Sequence, residues 1–173
     1  MKKILCIVAA TALLLAFAAC GAVSDARDTL DGMPKELLAQ VRELAQADLA
    51  MNIGSDITAE RAQHSLGLTE AQFTEYVDSA YEERPVLASL AQSNAIVKCK
   101  DAAAAAEVKK LVAGGFDSGK WKSSVPEQAI VIDSGSYIML SIGTTDATDA
   151  FVRAFKSVSG GYTGELDVFF RGE

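Results

Sequence analysis

The sequence predicts an α/β protein of the α+β kind. The expected form is a two-layer sandwich: a small mixed or antiparallel sheet with helices on one face, preceded by one or two N-terminal helices. Three observations point there. Residues 129–132 and 137–142 are apolar runs joined by Asp133-Ser134-Gly135-Ser136, the pattern of a β-hairpin with a glycine available for a left-handed position. A strand-like run, an acidic cap, a helix and a Gly-Gly pair occur in that order twice, with Asp101 and Asp146 as the caps. Hydrophobic residues make up 50% of the 173, which suits one domain with an ordinary core and excludes wholesale disorder.

In chain order, residues 1–19 read as a signal peptide. Lys2 and Lys3 form a positive start, and residues 4–19 are apolar or small apart from the hydroxyl of Thr11. An uncleaved membrane helix is the alternative, but spanning a bilayer takes ~20 apolar residues. Phe17-Ala18-Ala19-Cys20 resembles the bacterial lipobox, with Phe17 where Leu is usual, and places cleavage between Ala19 and Cys20. An ordinary signal peptidase would instead use Ala16-Phe17-Ala18. A cysteine at the end of the apolar run has neither a packing nor a disulfide role there, which favours lipidation of Cys20 by a diacylglyceryl group. Residues 1–19 hold two Lys and no acid, so cleavage would leave 14 basic against 23 acidic residues, a formal charge of -9. Cys99 would then be the single free thiol, with no intramolecular disulfide possible.

Residues 20–32 are polar, small and aperiodic, as a lipidated tether would be. Residues 33–68 read as an N-terminal helical segment. Pro34 suits a first helical position, and Leu37, Leu38, Val41, Leu44 and Ala45 follow at helical spacing. A second helix over 58–66 ends at Gly67 and carries His64 as a solvent-facing residue. Residues 69–158 make the α/β domain. Its first part, 69–81, fits two patterns: a capping box, Thr69 to Gln72, opening a helix, or an alternating strand rich in aromatics. Residues 95–99 are a β-rich run, and the helix capped by Asp101 stops at Gly114-Gly115. Asp146 starts the last helix, whose Ala147, Ala150, Phe151, Ala154, Phe155 and Val158 form one apolar stripe before Gly160-Gly161. Residues 159–173 are a tail or, over 166–170, an edge strand.

Composition narrows the function. Sixteen basic against 23 acidic residues give a net charge of -7, which argues against nucleic acid as a partner. With Cys6 removed and Cys20 lipidated, only His64 and Cys99 offer soft ligands, and one of each cannot close a tetrahedral zinc site, so no metal and no cofactor is expected. The stretch from Gly114 to Lys120 fits the G-x-x-x-x-G-K start of a phosphate loop, but Trp121 stands where Ser or Thr must bind Mg²⁺, and the motif follows a helix rather than a strand. No Ser-x-x-Lys or Gly-x-Ser-x-Gly occurs, and a Ser-His-acid triad would hang on His64. Cys99 in its strand reads as a small buried hydrophobe. Trp121, between Lys120 and Lys122, marks either a binding patch or a lid folded onto the core.

The strand Ala95-Ile96-Val97-Lys98-Cys99 with its helix, the step Pro126-Glu127-Gln128 and the run from Gly135 to Ile142 resemble a family of bacterial lipoproteins carrying a domain of unknown function (number 4358). The family has Tyr where this chain has Val125. The resemblance implies secretion, lipid anchoring and a strand over 73–81, and implies no activity.

The expected function is therefore a membrane-anchored extracytoplasmic lipoprotein that binds without catalysis. Membrane lipid is its partner through Cys20, and an envelope protein or cell-wall component is the further candidate. The alternative is a cell-envelope hydrolase or transferase using paired carboxylates, with Glu127 beside the hairpin as the first candidate. A ligand carrier, the third reading, requires a concave pocket of ~300 Å³ or more.

Overall fold

The structure, a computed structural model, describes residues 30–46, 52–87, 90–121 and 124–172. The signal, most of the tether and Cys20 lie outside the described residues. Six strands form one sheet in the order β1-β2-β3-β5-β4-β6, with every neighbouring pair antiparallel.

Helix α1 (Pro34–Ala45) opens on Pro34 and buries Leu37, Leu38 and Val41. Leu44 stays exposed. Strand β1 (Asn52–Asp56) falls inside the segment expected to be helical and is a correction to it. It has no apolar alternation to announce it. It forms because it completes the backbone pairing along β2, and Gly54 there lets the Tyr81 ring lie across it. Helix α2 (Ala59–Leu66) ends on Gly67, at φ 75°.

Residues 69–81 divide between the two readings. The capping box forms, with Gln72 N donating to Thr69 Oγ1 at 3.3 Å and Thr69 N to Gln72 Oε1 at 2.9 Å. It opens α3 (Glu70–Tyr76), and the chain then passes directly into β2 (Val77–Pro85). The strand implied over 73–81 is thus corrected in its first four residues.

Strand β3 (Ser93–Cys99) leads into α4 (Ala102–Gly114), capped by Asp101 through a 2.7 Å bond from Ala104 N. Strands β4 (Gln128–Ser134) and β5 (Tyr137–Gly143) form the expected hairpin. Gly135, at φ 56°, takes the first central position of its two-residue turn. Helix α5 (Thr145–Val158) starts two residues earlier than a cap at Asp146 would place it. Its cap is Thr144, whose side chain accepts from Ala147 N at 3.3 Å, and Asp146 sits in the first turn. Residues 166–170 contribute to an edge strand, β6 (Asp167–Arg171), paired with β4.

The α+β class with an antiparallel sheet is what the chain adopts, and the placement of its helices is corrected in one respect. Helices α4 and α5 lie on opposite faces. Ala95, Val97, Cys99, Val131 and Leu140 face α2, α3 and α4, while Ile96, Ile130, Ile132 and Met139 face α1 and α5. Central strands covered on both sides have no polar face, hence their unbroken apolar runs.

One close approach sets the geometry between α2 and α4. A Cβ on Gly115 would sit 2.3 Å from the Gly67 carbonyl oxygen, whereas one on Gly114 would meet nothing within 4 Å. Gly115→Ala should therefore destabilise by ~1–3 kcal/mol through overpacking, and Gly114→Ala should be neutral or stabilise by up to ~1 kcal/mol. Thermal melts of the two variants check this; equal behaviour would mean the backbones are not in contact.

Candidate functional site

The side chains of β2 alternate, and charge follows the alternation. Tyr81 and Glu83 point toward α1, where Glu83 pairs with Arg42 at 2.8 Å. Glu82 and Arg84 point the other way, toward α2. Glu82 is 1% exposed, an unusual place for a carboxylate, and its partners explain how it survives there. Arg61 Nη2 donates to Glu82 Oε1 at 2.7 Å, Ser65 Oγ donates to the same oxygen at 3.0 Å, and Arg84 Nε stands 3.5 Å from it. Arg61 also donates to Ser55 Oγ and the Asp56 carbonyl, so one guanidinium ties α2, β1 and β2 together. Arg84 Nε is buried and makes no hydrogen bond.

Above these residues lies a cavity of about 330 Å³. Ile53, Glu82, Arg84 and Ser93 form its floor, Val86, Leu90 and Gln92 one wall, and His64, Lys120 and Trp121 the other. The last wall is built by a short 3₁₀ turn, Ser118–Lys120, that Asp117 caps by accepting from Gly119 N at 2.8 Å. The turn aims Lys120 at α2, where its ammonium donates to the His64 carbonyl at 3.1 Å and lies 4.3 Å from the centre of the Trp121 ring. Burial pulls the Lys120 pKa down to about 8 against the opposing pull of Glu82, and Arg84 lowers it further.

Trp121 folds back onto the core, the lid reading of the two. It packs on the core through Phe116, at 5.9 Å between ring centres, and Phe116 in turn meets Phe169 and Phe170 at 5.2 and 5.0 Å. A register shift where β6 pairs with β4 brings both phenylalanines to this cluster. The same indole also lines the cavity. A second cavity of about 330 Å³ lies beyond Lys120 and His64, which border both, and reaches inward to Leu140 and Ile142.

Glu127 is not brought into either cavity. It is exposed and accepts from Thr145 N at 2.8 Å, beside a shallower depression of about 200 Å³ that shares only Leu90 and Gln92 with the first cavity. His64 presents its ring to solvent at the rim. Cys99 is buried, and desolvation, with Asp101 adding to it, pushes its thiol up to about 12, so it packs as a hydrophobe. Among the described residues no group of three or more His, Cys, Asp or Glu could hold a metal ion, and no helix is long and apolar enough to cross a membrane.

Sequence reasoning missed Arg61, Glu82, Arg84 and Lys120. One signal was available: Glu82-Glu83-Arg84 places three charges inside a strand, which a solvated loop would not need to pair. No family model matches the chain, and no curated protein and no solved structure matches it.

Proposed function

We propose that the protein is a non-enzymatic binding domain held at the extracytoplasmic face of the cell membrane by a lipid on Cys20, with the cavity beside Trp121 as its binding site. The observation that carries the binding reading is the cavity itself. At about 330 Å³ it reaches the size of small-ligand sites, combining apolar walls with a few convergent polar groups. Its described lining contains one carboxylate, Glu82, and that group is committed to Arg61 and Ser65. Paired-carboxylate hydrolysis needs a second carboxyl ~5–9.5 Å away. The second cavity borders Glu60 and Asp117, but Asp117 caps its turn, and a hydrogen bond from Thr58 holds Glu60 below the usual carboxylate range, the wrong direction for a general acid. Binding is therefore favoured over the envelope hydrolase or transferase.

The anchor reading rests on the sequence of residues 1–20, and the likeness to the lipoprotein family is part of the same proposal. Two acyl chains on one cysteine suffice for stable anchoring. The described chain begins at Leu30, and Tyr137 Oη donates to the Gly32 carbonyl at 2.9 Å, so the tether joins at the hairpin end of the sheet. Tyr137 pairs with Lys98 at that end, whereas Ser93, on the cavity floor, pairs with Ile142 at the other.

In cells fed labelled palmitate, the protein should take up label and partition into detergent. Cys20→Ser should abolish both, and Cys99→Ser should change neither. A labelled Cys20→Ser protein, or an unlabelled parent, would overturn the anchor.

A further inference from the structure

We infer that the ligand of the Trp121 cavity is a small organic anion, its charged head set between Arg84 and Lys120 and its apolar body against Trp121, Leu90 and Val86. This rests on reading the cavity as a binding site and adds the class of ligand.

The first support is a local excess of positive charge in an acidic protein of net charge -7. Arg61, Arg84 and Lys120 gather around two carboxylates, Glu82 and Asp117, and Asp117 is engaged in capping the 3₁₀ turn. Arg61 answers Glu82 at 2.7 Å, with hydrogen-bonding geometry. Arg84 pairs with it more loosely: its Nε stands at 3.5 Å, an ion pair without a hydrogen bond, although that nitrogen is buried. A buried guanidinium nitrogen without an acceptor is costly, and an arriving anion supplies the acceptor. Lys120 is hydrogen-bonded, but to a neutral carbonyl, that of His64, and its ammonium lies 4.3 Å from the centre of the Trp121 ring. A planar carboxylate matches the fork of a guanidinium, while an ammonium adds a point charge from a second side.

The second support is apolar and independent of charge. Val86 and Leu90 are 47% and 41% exposed at the mouth of the cavity, and Ile53 is 56% exposed on its floor. Together with the Trp121 ring they give the cavity apolar lining beside Arg84 and Lys120. An inorganic ion would leave that lining unused, and a neutral apolar ligand would leave Arg84 and Lys120 unanswered. The volume limits the occupant to a small molecule. The cavity lies at the end of the sheet away from Gly32.

The chain carries one Trp, so Trp121 fluorescence reports the cavity directly. The purified full chain, with nonionic detergent in the buffer, is titrated with straight-chain acids from butanoate to octanoate, with 4-phenylbutyrate, with acetate, and with the matching primary amides. The acids are expected to shift the emission saturably, at least tenfold tighter than their amides and tighter than acetate. Lys120→Gln leaves the Glu82 pairing with Arg61 intact, and should weaken the acids about tenfold with an unchanged melting temperature. Arg84→Gln should do the same to the acids. Acids and amides that shift the emission equally would keep the cavity as a binding site and overturn the anion. Acetate binding as well as octanoate would overturn the apolar body. No saturable shift from any acid or amide would overturn both this inference and the binding reading, while the palmitate label would still stand or fall separately.

Discussion

Phe155→Ala should destabilise the protein by about 3–5 kcal/mol, the range for emptying a large aromatic site in a packed core. Phe151 and Phe155 are both fully buried and lie one turn apart on α5. They share a core with Leu38 and Val41 of α1 and with Ile96, Ile130, Ile132 and Met139 of the sheet. The neighbouring side chains come from rigid strands and from a second helix, so they have little freedom to collapse into the space left behind. Domains of this size are stable by only ~5–15 kcal/mol, so this one substitution removes a large share. At ~2–4 °C per kcal/mol the melting temperature should fall by roughly 10 °C. Urea denaturation checks the free energy. A variant that melts like its parent would mean that the α5 stripe does not cover the sheet.

The same two phenylalanines show how far local pattern carries. The α5 stripe, the hairpin with its Gly135 turn, the Asp101 cap and the Gly67 stop were legible because each is written within a few residues of one chain segment. The face to which α5 docks was not written in its stripe. It was written in the strands: residues 129–132 and 137–140 are continuously apolar, and a strand with one wet face would alternate. Helices on both faces follow from that run.

Residues 69–81 satisfied each pattern only in part, for a different reason. Phe73 belongs to α3, and Val77 and Ala80 belong to β2, where a register shift between Val77 and Ser79 puts Ala80 in the same core as Val77. A helical spacing was thereby produced by a helix and a bulged strand in sequence. Strand β1 carries no apolar pattern, because its stability comes from its partner. The site divides in the same way. Trp121 stood out as a single indole in a loop, whereas Arg61, Glu82, Arg84 and Lys120 acquire meaning only when α2, β2 and the 3₁₀ turn are brought together.

That assembly has an asymmetry that stability measurements will read. Arg61→Ala should cost about 3 kcal/mol, toward the lower end for removing one partner of a buried pair. It strands the Glu82 carboxylate, whose side chain is 1% exposed, with Ser65 at 3.0 Å and Arg84 at 3.5 Å as its remaining partners. It also releases Ser55 and the Asp56 carbonyl, loosening β1 at the sheet edge. Glu82→Ala should cost less, about 1–2 kcal/mol, because the groups it leaves behind can turn to water: the side chains of Arg61 and Arg84 are 38% and 41% exposed. In the double variant Arg61→Ala/Glu82→Ala no unpaired carboxylate remains, so the combined loss should fall short of the sum by about 1 kcal/mol or more. Urea denaturation of the parent and the three variants closes the cycle. A larger loss from Glu82→Ala than from Arg61→Ala would show that the carboxylate is not the stranded partner. Additivity within ~0.5 kcal/mol would show that the two are not coupled, leaving the floor of the cavity without the pairing that frees Arg84 for a ligand.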